Sequence, residues 1–213
     1  MNVKADRASA TRESILVTAE RLFAENGVHA VSNRHISEAA GQGNNAAVNY
    51  HFGTKVDLVR AIARKHFGRI ERLREELVDA IEGDGELRDW VACLVRPSTS
   101  YLHELGAPTW FARFSAQVMT DPALRVIVVE ESLSSPALAR AVEGLDRCLD
   151  GLPPEVRAER GDMARQLMIH MTAERERALA EGTPTPRASW NDAGTGLIDA
   201  ITGLLLAPVT PPS

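Results

Sequence analysis

Three asparagines stand close together in the N-terminal quarter of the chain, and their chemistry is suited to contacts with nucleic acid bases. An asparagine amide carries a donor and an acceptor side by side, so it can pair with the N6 and N7 atoms of adenine. Asn44, Asn45 and Asn49 are therefore candidate base-reading residues. We expect the ring of Tyr50 to pack against a sugar-phosphate backbone and Ala46 to touch a thymine methyl group.

The segment around these asparagines has the pattern of two short helices joined by a turn. Ser32 can cap the first helix, and Gly41 supplies the left-handed conformation that ends it. The residues that we expect this helix to turn inward are Ile36, Ala39 and Ala40. The second helix, about residues 45–51, is too short and polar to be stable alone. This arrangement predicts a helix-turn-helix, whose second helix enters the major groove of DNA.

The flanking segments predict helices that would hold this motif. Residues 11–26 form an apolar helical face that Asn26 and Gly27 terminate. Thr54 begins another helix, with Asp57 in position to complete a capping box. We expect one small core, formed by Leu22, Phe23, Ile36, Val48, Phe52 and Leu58.

Residues 12–65 resemble the TetR family of transcriptional regulators. The resemblance lies in three stretches: AERLFAENG at 19–27, ISEAAG at 36–41 and VNYHFGTK at 48–55. Residues 12–65 make up about a quarter of the chain. The turn at residues 42–45 is one position longer than is usual in the family, so the choice among the three asparagines stays open.

The resemblance implies an all-α fold, with an N-terminal three-helix helix-turn-helix DNA-binding domain and a C-terminal helical ligand-binding and dimerisation domain. The implied boundaries are 1–54 for the DNA-binding domain, 55–83 for a connecting helix, and 84–213 for the effector-binding and dimerisation domain. His51 matches the histidine of the family's His-Phe pair, which implies a phosphate contact. Lys55 is expected to grip a phosphate together with the N-terminus of its helix. Arg34 and Thr54 complete the predicted DNA-binding set.

The charge distribution is compatible with a DNA partner although the net charge of the chain is −5. Up to residue 66 there are nine Lys/Arg and six Asp/Glu, a net charge of +3, whereas the remainder carries −8. A basic front end can approach phosphates, and an acidic body opposes general coating of DNA. The pattern therefore favours binding at a defined site.

The rest of the composition predicts a soluble, cytoplasmic protein without a membrane segment or signal peptide. Cys93 and Cys148 are isolated, which indicates free thiols rather than a disulfide framework. The histidines and carboxylates show no metal-binding spacing, and no catalytic constellation or phosphate loop is present. We therefore expect no metal, no cofactor and no enzymatic activity.

A cluster of aromatic residues in the middle of the chain predicts either an effector cavity or a plain core. Residues 108–119 contain three of only ten aromatic side chains. Such side chains suit an apolar ligand, and the family resemblance places an effector cavity in this region. The candidate ligand-binding residues are Tyr101, His103, Trp110, Phe111, Phe114 and Met119.

The last two predicted helices, about residues 155–180 and 190–206, carry apolar stripes that suit a homodimer interface. The stripes are Met163, Leu167, Met168 and Met171 on one helix, and Leu197, Ile198, Ile201, Leu204 and Leu205 on the other. A two-fold dimer would bind the two half-sites of a palindromic operator. The favoured interpretation is a homodimeric repressor that a small apolar or aromatic effector releases from its DNA operator. The alternatives are a DNA-binding module without an effector and, less favoured, an enzyme.

Overall fold

The computed structural model describes residues 3–44, 46–133 and 135–210, and within these ranges all side chains except those of residues 3–6 and 133. The predicted base reader Asn45 lies outside the described residues. In the described part the chain forms ten helices, in agreement with the predicted all-α class. They are α1 Val3–Asn26, α2 Asn33–Ala39, α3 Ala47–Phe52, α4 Lys55–Asp79, α5 Leu87–Leu105, α6 Phe111–Thr120, α7 Pro122–Leu133, α8 Pro136–Cys148, α9 Pro154–Glu181 and α10 Trp190–Leu206.

Two predicted glycine stops are present in the structure. Gly27 ends α1 with φ of 83°, and Gly41 follows α2 with φ of 69°, values that favour glycine because it lacks a Cβ atom. The β-branched run at residues 125–129 is helical and belongs to α7. Local sequence signals therefore account for the ends of α1 and α2.

The helices form two compact units. The first comprises Met1–Phe67 and Thr109–Glu131, and the second comprises Gly68–Pro108 and Ser132–Ser213. This division differs from the predicted grouping of residues 84–213 in one domain, because α6 packs against α1 of the first unit. The rings of Phe23 and Phe114 stack there with their centroids 6.4 Å apart.

The core of the first unit contains the apolar residues that support the predicted helix-turn-helix. Of the six predicted core residues, Phe52 is half-buried and the others are buried, namely Leu22, Phe23, Ile36, Val48 and Leu58. The expectation that Ala39 faces inward is wrong, since Ala39 is exposed and Ser37 is buried instead. The buried positions of α2 thus lie next to each other at its centre.

The second unit has a core between α5, α8, α9 and α10. Its main cluster joins Val91 and Val95 of α5 to Leu149 and to four α10 residues, Leu197, Ile198, Ile201 and Leu205. The predicted interface stripe of α10 is therefore largely internal to the protomer. Helix α8 also approaches α5 closely, because a Cβ atom on Gly144 would lie 2.3 Å from the Trp90 ring.

No helix in the described part of the chain has both the length and the apolar character required to cross a membrane.

Candidate nucleic-acid interface

Helices α2 and α3 position the predicted DNA-reading surface. The Ser32 hydroxyl accepts a hydrogen bond from the His35 backbone N–H at 3.1 Å, which confirms the predicted cap of α2. Helix α3 buries Ala47 and Val48 and exposes Asn49 and Tyr50, the latter by 83%. A short polar helix is thus held by its two buried apolar residues, as its sequence requires.

The turn before α3 uses one of the predicted base readers for its own structure. Helix α3 begins at Ala47, two residues later than predicted. The Asn44 side-chain Oδ1 accepts a hydrogen bond from the Ala46 backbone N–H at 2.9 Å. This local bond stabilises the turn, so the Asn44 carbonyl already has a partner in the protein.

Asn49 is joined to α2 by a side-chain hydrogen bond that the sequence did not indicate. Asn33 Nδ2 donates to Asn49 Oδ1 at 2.6 Å, and the two residues are 16 positions apart. Asn33 was not among the predicted site residues. Its position at the start of α2 is the one signal that could have suggested it.

A cation-rich cleft lies beside the end of α3. It has a volume of about 670 Å³, and its lining includes His51, Phe52 and the basic residues Arg12, Arg60, Arg64 and Lys65. The Arg12 guanidinium lies 4.7 Å from the centre of the Phe52 ring, and the His51 ring meets Tyr50 edge-on at 5.0 Å. Arg12, which the sequence analysis did not single out, is therefore a further candidate for phosphate contact.

The start of α4 has the predicted capping box. The Asp57 backbone N–H donates to the Thr54 hydroxyl at 3.1 Å, and the Thr54 backbone N–H donates to Asp57 Oδ2 at 3.2 Å. The hydrogen bonds from Thr54 hold the pKa of Asp57 below its ordinary value. This contribution to stability is present above the ordinary pKa of the carboxyl and is lost as the pH falls through the lowered pKa.

The ammonium group of Lys55 is already hydrogen-bonded to the protein backbone. Its Nζ donates to the backbone carbonyls of Val28 at 3.1 Å and Val31 at 2.6 Å. These bonds tie the first turn of α4 to the loop before α2. Arg34 is more accessible, with a 73% exposed side chain whose Nε lies 2.7 Å from Glu38 Oε1.

The predicted effector residues are divided between the two units. Tyr101 is buried and His103 exposed in the second unit, whereas the other four belong to the first. Phe111, Phe114 and Met119 are buried there, and Trp110 is partly exposed. The Phe111 ring stacks on His66 at 4.1 Å, so α6 is packed directly on α4 within this unit. The assignment of these residues to an effector cavity stays a prediction.

The fold and the exposed polar face of α3 define a helix-turn-helix domain. Residues 15–62 match the family model described as bacterial regulatory proteins, tetR family. The predicted resemblance is thereby confirmed for these N-terminal helices.

Two relatives and one solved structure extend this comparison. The chain is 31% and 32% identical to the HTH-type transcriptional repressors AcnR of Corynebacterium glutamicum and Corynebacterium efficiens, over 56% and 57% of its own length. The matches span only 57% and 65% of those relatives. A TetR family transcriptional regulator PfmR from Thermus thermophilus is 20% identical, with a TM-score of 0.53 over 88% of this chain and 96% of that one. This likeness supports the fold.

Proposed function

We propose that this protein is a DNA-binding transcriptional regulator that represses genes by occupying a palindromic operator. The observation that carries the proposal is the exposed polar face of α3, with Asn49 and Tyr50 on a helix anchored by buried Val48. That surface has the side chains for contacts with base edges and backbone in a major groove. Both relatives are named as transcriptional repressors, which supports repression as the effect on transcription.

The basic groups near α3 support a phosphate-binding role for the surrounding surface. Arg12 and His51 line one cleft, and neither is joined to a carboxylate by an ion pair among the described residues. The Arg12 guanidinium is therefore available to replace the counterions of a DNA phosphate, and a ring N–H of His51 can donate a hydrogen bond to one. We therefore expect affinity for all DNA sequences to depend on these two groups.

The function is tested by selecting bound duplexes from a random pool and sequencing them. We expect enrichment of a palindrome with half-sites about one helical turn apart. His51→Ala should weaken binding to every sequence alike, whereas Asn49→Ala should also relax base preference at one position, a change of about 1–3 kcal/mol in discrimination.

Arg177→Ala is the matched control for loss of charge, because this α9 arginine is 48% exposed and pairs with Glu174 far along the chain from α3. It should leave DNA affinity unchanged. Lys55→Ala is unsuitable as a probe of phosphate contact, since it would also remove the partner of two carbonyls. A wild-type protein that enriches no sequence would contradict the function.

Control by a small apolar effector is the second part of the proposal. Within the first unit, α6 packs on α1 through Phe114 and on α4 through Phe111. A ligand that displaced either aromatic ring would therefore disturb helices on which the DNA-reading surface depends. The ligand need only favour the non-binding geometry, with a coupling free energy of about 1–3 kcal/mol.

The third part of the proposal is a homodimer built on exposed apolar side chains of α9 and α10. Met163 and Met171 share a face of α9 and are 47% and 50% exposed, and Leu206 at the end of α10 is 65% exposed. Gly203 has open space where a Cβ atom would lie, which would permit close approach of a second helix. This surface replaces the buried α10 stripe as the expected interface.

Met171→Glu tests the dimer, because it would place a charge in a desolvated contact while leaving the protomer core intact. We expect monomers with an unchanged helical content, measured by light scattering and circular dichroism. Val126→Glu is the control, since this 55% exposed side chain belongs to α7 of the other unit and should leave the dimer unaffected. Ile201→Glu should unfold the protein instead, as Ile201 is only 3% exposed. A monomeric wild-type protein at micromolar concentration would rule out the dimer.

A further inference from the structure

We infer that Asn33, the first residue of α2, is a positioning residue that turns the amide N–H groups of Asn49 toward the DNA and so sets base preference. The inference deepens the proposed function and rests on it. It starts from the hydrogen bond in which Asn33 Nδ2 donates to Asn49 Oδ1 at 2.6 Å. The carbonyl end of the Asn49 amide is thereby anchored to α2.

The free end of the Asn49 amide is its donor end. Asn49 is exposed on α3, and its Nδ2 makes no hydrogen bond to the described residues. An unrestrained amide could present either end to a base by rotating about its last side-chain bond. The bond from Asn33 removes this freedom before DNA arrives, which is the general advantage of a preorganised contact.

The burial of one polar atom of Asn33 has a free-energy cost. Its Oδ1 atom is shielded from solvent and has no hydrogen-bond partner among the described residues. Buried polar atoms are nearly always paired, because an unpaired one loses its hydration without compensation. Alanine at this position would avoid that cost, so the contribution of Asn33 lies in its bond to Asn49.

The orientation of the Asn49 amide determines which bases it can contact favourably. In the major groove guanine offers the N7 and O6 acceptors, adenine offers N7, and thymine offers O4, whereas cytosine presents the N4 amino donor. An amide that turns its N–H groups outward therefore disfavours cytosine at the base it contacts. Of the adenine pairing expected from the sequence, the bond to N7 is retained, because N7 accepts an N–H of the Asn49 amide.

The test compares the sequences that wild type, Asn33→Ala and Asn33→Asp select from random duplexes. We expect wild type to disfavour cytosine at one position of each half-site, and Asn33→Ala to reduce that preference by about threefold or more, the worth of one hydrogen bond. Asn33→Asp carries only acceptors, so it should bind Asn49 Nδ2, turn the carbonyl outward and enrich cytosine at the same position. Its added negative charge lowers affinity for all sequences, but the ratio between bases at one position is insensitive to that loss.

Two controls separate positioning from a purely structural role. In an Asn49→Ala background, Asn33→Ala should produce no further change in base preference. Arg34→Ala, next to Asn33 in α2, should lower affinity for all sequences and leave the base ratios unchanged. Because Asn33→Ala removes an unpaired buried oxygen, its melting temperature should not fall.

Base profiles of Asn33→Ala and Asn33→Asp that match wild type would overturn the inference. If Asn33→Asp does not fold, the base profile of Asn33→Ala alone tests the inference. Its expected weaker selection against cytosine requires only the loss of a hydrogen bond and no new contact. A wild-type protein that selects no sequence would instead overturn the proposed function, so the two failures are distinct.

Discussion

Phe114→Ala is expected to lower the free energy of unfolding by about 3–5 kcal/mol and to remove DNA binding at physiological temperature. Phe114 is 1% exposed and stacks on Phe23 of α1, within the unit that contains α2 and α3. Truncation would leave a cavity against the helix that supports the DNA-reading surface. Chemical denaturation followed by circular dichroism measures the loss, and a fluorescence titration with the selected duplex measures binding.

The control for this prediction is Phe67→Ala, the same substitution at a partly buried ring of α4. It should lower the free energy of unfolding by less than Phe114→Ala does, because less apolar surface returns to water and a partly open site leaves a smaller cavity. If Phe114→Ala kept wild-type stability and DNA affinity but lost its response to an apolar ligand, Phe114 would border an effector cavity and the core assignment would be wrong.

Glu20→Met should destabilise the protein by about 1–3 kcal/mol, because it removes the carboxylate that pairs with a buried imidazole nitrogen. The Glu20 carboxylate and His66 Nε2 are 3.0 Å apart, and their side chains are only 8% and 2% exposed. The pair joins α1 to α4 within the first unit. Thermal and urea unfolding of the variant would measure the loss.

A double variant and a surface control sharpen this prediction. Adding His66→Phe to Glu20→Met should recover part of the loss, since a buried pair can often be replaced by apolar side chains, and the new ring can still stack on Phe111. Glu13→Met makes the same change on the same helix, but the Glu13–Lys65 pair is 57% and 32% exposed. It should cost no more than about 1 kcal/mol. If Glu13→Met and Glu20→Met lowered the free energy of unfolding equally, burial of the pair would not be the reason for the effect of Glu20→Met.

Most of the helical pattern was predictable because its causes are local. The Ser32 and Thr54 caps and the stop at Gly41 depend on residues within a few positions of each other, so the sequence contains everything that determines them. The apolar spacing that buries Val48 is also local, and it identified the helix that presents Asn49 and Tyr50. These features were sufficient to predict the all-α fold and the helix-turn-helix.

The features that the sequence left open concern contacts between helices that are distant along the chain. The α10 stripe containing Ile201 has the apolar spacing of either a core or an interface, and only its packing on Val91 and Val95 shows that it is core. The Phe114 ring likewise could have lined a cavity in a C-terminal domain. Its stack on Phe23 places it in the unit that holds the DNA-reading helices.

The sequence alone therefore determined which segments are helical, because helix periodicity and capping are short-range effects. The tertiary structure decided what their side chains are bonded to. Lys55 binds carbonyls 24 and 27 positions away, and Asn49 accepts a hydrogen bond from Asn33, 16 positions away. Such pairings depend on how helices pack against one another, and no spacing rule within a single helix contains that information.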